Sequence, residues 1–184
     1  MSTSFQWTLA DYDRMVKAGL FDGPDRKRVE FIRGQVREMS PIGPLHVEVV
    51  MRLNRFSCSA LSEEKASVSV QSPVRLAGVQ SGPEPDLVWL APRDYSQSLP
   101  AAEDVLLLVE VADTSLEFDR GEKCDLYAGA GIADYWLVDL IARVVEVRRD
   151  PLGGHYRSLQ SYSGDQEVRP LRFPEVALRP AMLF

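Results

Sequence analysis

Apolar residues recur at two different periods along this chain, and the changes of period mark its elements. In "TLADYDRMVKAG", Leu9, Tyr12, Met15 and Val16 fall at helical spacing behind a Thr8/Asp11 start signal, which predicts a short helix stopped by Gly19. "RVEFIRGQVREMS" turns at Arg33-Gly34 and resumes with Val36 and Met39, so a hairpin is expected, with Glu30 inside its first strand.

Beyond the Pro41 to Pro44 break, "LHVEVVMRLNRFSCSALSEE" keeps Leu45, Val49, Leu53 and Phe56 on one face, widened by Val50 and Leu61, and predicts the largest helix. Three β-rich runs follow, "ASVSVQSPVRLA", "DLVWLA" and "DVLLLVEVA". The last is apolar enough for a central strand covered on both faces. "FDRGEKCDLYAGAG" reads as a helix ended by Gly131, and "DYWLVDLIARVVEVRRD" as strand, turn near Asp139 to Ala142, and strand. "HYRSLQSYSG" and the Pro-punctuated C-terminus are expected to be peripheral. The order defines a mixed α/β arrangement.

Composition narrows the class. A chain of 184 residues, 45% hydrophobic and 26% charged, fits a single globular domain over 1–184, with no repeat or dividing linker. Neither a basic n-region with an apolar h-region nor a membrane-length apolar run occurs, so a soluble, cytoplasmic protein without a membrane partner is expected. Cys58 and Cys124 are far apart, lack metal-finger spacing and read as packing residues. No Gly-rich phosphate loop is present. The net charge of −6 opposes nucleic-acid binding unless basic residues gather locally, for which Arg26, Lys27, Arg28, Arg33, Arg52 and Arg55 are the candidates.

The candidate chemistry lies in carboxylates. Asp86 opens one strand, and Glu110 sits between Val109 and Val111 in the most apolar run, where an acid needs a cation or hydrogen bonds to offset its desolvation. Brought together, the two acids offer hard oxygen ligands suited to Mg²⁺ or Mn²⁺. A lysine at position 112 would share Glu110's strand face, but Ala112 stands there. Lys123, on the next helix with Tyr127 four residues on, can reach the carboxyl end of that strand if the chain folds back. The same spacing also fits a solvated lysine paired with Asp119, a residue expected to cap the helix.

The segments "RVEFIRGQVREMSPIGPLHVEVVMRL", "PDLVWL", "LLLVEVADTSLEFDRGEKCDLYAGAGIADYWLVDL" and "ARVVEVRRD" together resemble the Uma-two family, a bacterial group of restriction-endonuclease relatives in the PD-(D/E)xK nuclease superfamily. The likeness runs from about Arg28 to Asp150, and the block after Val109 is its most specific part. It implies a restriction-endonuclease-like core, a mixed central β-sheet flanked by helices, with a divalent metal held by the acids and phosphodiester hydrolysis by activated water. It also implies that Asp86 and Glu110 are the metal-binding acids and Lys123 a lysine displaced from strand to helix. Glu30 matches the acid of an "ELIDGE"-like segment, and His46 the histidine opening the long helix. "EFIRGQ" departs from that segment at Arg33 and Gln35, which weakens any role for an acid at 35.

These readings lead to a metal-dependent DNA endonuclease with Glu30, Asp86, Glu110 and Lys123 as catalytic residues and His46 and Tyr127 as accessory ones. The alternative is a weak or silent nuclease-fold module that binds or regulates within a mobile element or defence system. A homodimer is expected for two-strand cutting, with "YWLV" as a possible apolar edge, although Trp136 reads as core.

Overall fold

A computed structural model describes residues 5–23 and 28–184. Beside a separate hairpin of β1 (Val29–Ile32) and β2 (Gln35–Glu38) runs a six-stranded sheet whose strands lie side by side in chain order. The sheet strands are β3 (Ser67–Val70), β4 (Leu87–Leu90), β5 (Val105–Ala112), β6 (Asp134–Asp139), β7 (Val144–Leu152) and β8 (His155–Ser163). Neighbours are antiparallel except β5 and β6, which are parallel. A parallel pair requires a crossover. Here it runs through α3 (Leu116–Phe118), a π-helical turn (Asp119–Lys123) and α4 (Cys124–Gly129).

Alternation along the central strands divides the core in two. Leu107, Val109 and Val111 face one cluster with Val49, Val50 and Leu53 of α2 (Pro44–Ala60), whereas Leu108 and Ala112 face the other with Leu126 and Tyr127 of α4. Glu110 therefore falls on the α4 side.

Local chemistry explains the flanking pieces. Helix α1 (Leu9–Lys17) starts in a capping box, with Thr8 Oγ1 accepting from the Asp11 N–H at 3.2 Å and Asp11 Oδ2 accepting from the Thr8 N–H at 3.0 Å. The hairpin closes at Arg33 (φ 48°) and Gly34 (φ 79°), the positive-φ pair of a tight two-residue turn. A Cβ at Gly34 would also lie 2.9 Å from the Trp7 carbonyl oxygen. Phe31 exchanges hydrogen bonds with Gly82 (3.4 and 2.7 Å), which fixes the hairpin, and Glu30 with it, against the segment leading into β4.

Several expectations from the sequence change. On α2 the buried stripe is His46, Val49, Val50, Leu53 and Ser57, which follows the i, i+3, i+4 pattern, and Leu45 turns outward. "HYRSLQSYS" is the edge strand β8, paired along β7, and the C-terminal segment lays Val168, Leu178 and Leu183 onto the α2-side core. "YWLV" is no edge: β6 is hydrogen-bonded on both sides, and Trp136 is buried. Cys124 is buried as expected, but Cys58 is exposed, so only Cys124 packs in the core. Among the described residues, no helix is long and apolar enough to cross a membrane.

Candidate active site

The β4/β5 register, with Leu87 opposite Val109, brings Asp86 and Glu110 side by side at the end of the sheet. Asp86 is tightly held. Its Oδ2 accepts the Val111 N–H at 2.8 Å and lies 3.1 Å from His46 Nε2, while Oδ1 accepts from Gln71 Nε2 at 3.2 Å. The N–H of Asp86 in turn approaches Glu110 Oε2 at 3.4 Å, a long contact.

Lys123 arrives from the crossover. Its Nζ donates to Glu110 Oε1 at 3.0 Å and lies 3.2 Å from Glu30 Oε2 and 3.8 Å from Asp119 Oδ1. It is therefore a buried site lysine rather than a solvated one. The π-helical turn carries Asp119 and Lys123 inward together, and such turns recur at functional sites. Tyr127, on the following turn, donates to the same Glu110 oxygen at 2.5 Å. Asp119 is not the cap expected of it. It lies inside the helical segment, accepts from Ser115 Oγ at 2.5 Å and lines the cleft.

Glu30, Asp86, Glu110 and Lys123 thus meet at one cleft of about 310 Å³, with His46 in its wall, and Tyr127 touches the cluster from the core side. Asp119, Gln71 and Ser115 joined them unannounced. Asp119 and Lys123 four residues apart carry the same signal as an ordinary surface pair, and Gln71 reaches Asp86 only through the β3/β4 pairing. Among the described residues, Arg28, Arg33 and the pair Arg52 and Arg55 lie in three separate clefts rather than on one surface. Arg52 is engaged by Glu48 and the Phe184 carbonyl, Arg52 and Arg55 line a separate groove, and Arg26 and Lys27 lie outside the described residues.

One ammonium faces Glu30, Glu110 and Asp119, and the electrostatics follow from that imbalance. Burial pushes the Glu110 carboxyl up to about 8; Lys123 pulls against this, while the charges of Asp119 and Asp86 add to it. Burial likewise pushes Asp119 up to about 6, again opposed by Lys123. Burial works to lower the lysine's own pKa, but Glu110, Glu30 and Asp119 outweigh it and hold the ammonium well above its ordinary value. Lys123 stays charged, and burial favours a proton shared within the Glu110 and Asp119 pair. For Asp86, burial acts upward but is outweighed by His46, the Val111 N–H and Gln71, so its carboxyl stays below the usual range. The Tyr127 hydroxyl is raised by burial and by Glu110, and remains a donor.

Among the described residues, no group of three or more His, Cys, Asp or Glu side chains is arranged to grip a metal ion unaided. Mg²⁺ commonly binds through one or two carboxylates and completes its shell with water and substrate phosphate, so two adjacent acids suit it. Glu110 Oε2, with only the long contact from Asp86, and Asp86 Oδ1, which holds a neutral amide, are the oxygens least committed within the protein. The donor set fits a hard divalent cation.

A mixed sheet with acids at neighbouring strand ends, joined by a lysine from the crossover, defines the restriction-endonuclease-like class of fold. A family model described as "Uma2: Putative restriction endonuclease" matches residues 9–181, and the chain belongs to that family. Among solved structures, the chain is similar to a protein from Anabaena variabilis ATCC 29413 described as a "putative nuclease belonging to DUF820". That likeness has a TM-score of 0.73 at 15% identity and covers 96% of this chain and 97% of the other. A search of curated proteins finds no match.

Proposed function

We infer that the protein is a metal-dependent endonuclease that hydrolyses DNA phosphodiester bonds. One observation carries this reading: the Lys123 ammonium meets Glu110 beside Asp86 in an accessible cleft. Membership of a family described as restriction endonucleases supports DNA as the substrate.

When bound, Mg²⁺ or Mn²⁺ would supply Lewis acidity that lowers the pKa of coordinated water and offsets charge on the phosphate. Asp86 and Glu110 would hold the ion. Lys123, fixed by Glu110 and Glu30, presents positive charge to the phosphate oxygens and orients the attacking water. Glu30 acts through Lys123, its buried Oε2 lying 3.2 Å from the ammonium. His46 positions Asp86, and Tyr127 positions Glu110.

Plasmid and single-stranded DNA incubated with the protein and Mg²⁺ or Mn²⁺ test the reading. Nicking by the parent that is lost in Asp86→Asn supports it, and a folded parent that leaves both substrates intact overturns it. The second reading, a silent nuclease-fold module, is favoured by one feature: Glu110 Oε1 is already taken by both Lys123 and Tyr127. Calorimetric titration separates the two, because a silent module gives no Mg²⁺ heat that depends on Asp86. For the homodimer, cutting of both strands calls for two sites related by symmetry, and light scattering reads the mass directly.

A further inference from the structure

We propose that Arg28 is the substrate-positioning residue of this site, binding a phosphate next to the scissile one after exchanging its partner Glu84 for the nucleic acid. The assignment rests on the nuclease reading of the cleft.

The cleft poses an electrostatic problem for a polyanion. Carboxylates dominate its lining, and among the described residues Arg28 and Lys123 are the only lysine or arginine there. Lys123 is buried and committed to Glu30, Glu110 and Asp119. It can serve the reacting phosphate but not a neighbouring one. Binding of a polyphosphate chain needs cations along its path.

Arg28 is placed for that task. Its carbonyl accepts the Met39 N–H at 2.9 Å, which extends the β1/β2 pairing by one rung and fixes the residue at the cleft. Among the described residues its guanidinium makes one long contact, Nη2 to Glu84 Oε2 at 3.3 Å, and its side chain is 38% exposed. A guanidinium carries five N–H donors in a fork that matches two phosphate oxygens, so the long contact with Glu84 occupies little of that capacity. Glu84 lies two residues before Asp86, so the Arg28 side chain is held close to the metal-binding acids. The pairing holds the arginine among the residues that line the cleft and, at 3.3 Å, is weak enough for a phosphate to displace.

Fluorescence anisotropy on a short labelled DNA duplex and on its single strand, with Ca²⁺ in place of Mg²⁺, tests this across a salt series. Arg28→Ala should bind about tenfold more weakly, and the slope of log affinity against log salt should fall in magnitude by about 0.9 on the duplex and about 0.7 on the single strand. Arg28→Lys should keep the slope. Glu84→Gln, which removes the competing carboxylate, should bind more tightly than the parent. A purely structural Arg28–Glu84 pair would instead make Arg28→Ala and Glu84→Gln fail alike. Parent binding that Arg28→Ala leaves unchanged, or that Glu84→Gln weakens, overturns the assignment and leaves the nuclease reading standing. A parent that binds neither probe overturns both.

Discussion

Lys123 reaches Glu110 from the crossover helix, its Nζ 3.0 Å from Oε1, while Ala112, two residues along on Glu110's own strand face, is sealed in the core beside Tyr127. The strand position that would hold a lysine is filled by packing, and the charge is delivered one element later. The inward turn at Asp119–Lys123 makes this possible, because it aims the lysine back over the end of β5.

Glu110→Gln should raise stability while abolishing nicking. The folded pKa of about 8 lies above the ordinary value of 4.5, so the fold favours the protonated carboxyl. That contribution is complete below about pH 4.5 and is lost as pH rises through 8. The variant should therefore melt with the parent in acid and above it at alkaline pH, by about 2–4 °C for each kcal/mol gained in a chain of this size. Thermal melts across pH check the divergence.

Mg²⁺ should stabilise the protein more as pH rises. An ion held at Glu110 would require the carboxylate, so its binding would release the proton that burial favours there. The rise in Tm at a fixed Mg²⁺ concentration should grow from mildly acidic pH to above pH 8 and vanish in Asp86→Asn.

His46→Ala should make the protein more sensitive to acid. Asp86 lies below its ordinary 3.8 despite burial, chiefly through His46. Such a group contributes stability above pH 3.8 that is lost as pH falls through the folded value. Without the imidazole the Asp86 pKa rises, so the acid unfolding midpoint followed by circular dichroism, and the acid limb of the nicking profile, should both move to higher pH.

Tyr127→Phe separates positioning from catalysis. The hydroxyl donates to Glu110 at 2.5 Å, yet Lys123 still holds the same oxygen once it is gone. A loss of about 1–2 kcal/mol in stability, read by urea unfolding, and a modest slowing of nicking are expected.

Much of this architecture was legible beforehand because it is written in short-range patterns: the Thr8 capping box, the Arg33-Gly34 turn and the apolar run around Glu110. The pairing of Asp86 with Glu110 was foreseeable because both open or occupy apolar strands, where a carboxylate needs a reason. What escaped depended on long-range packing. Asp119 looked like a cap because nothing local distinguishes a π-helical turn from the start of a helix. The segment of β8 is peripheral, as expected, but its strand character escaped because an edge strand half in water loses the apolar signal. Gln71 meets Asp86 only after β3 and β4 have paired.

The role given to Lys123 is tested most directly by a nicking assay on Lys123→Gln. Removing the ammonium leaves Glu30, Glu110 and Asp119 without their shared cation, so parent and variant are compared at saturating Mg²⁺, which would keep Glu110 ionised and offset the surplus negative charge in both. With native circular dichroism confirmed, the variant should nick plasmid about 10²–10³-fold more slowly than the parent. A folded Lys123→Gln that nicks at the parental rate would contradict the relocation of the lysine to the helix.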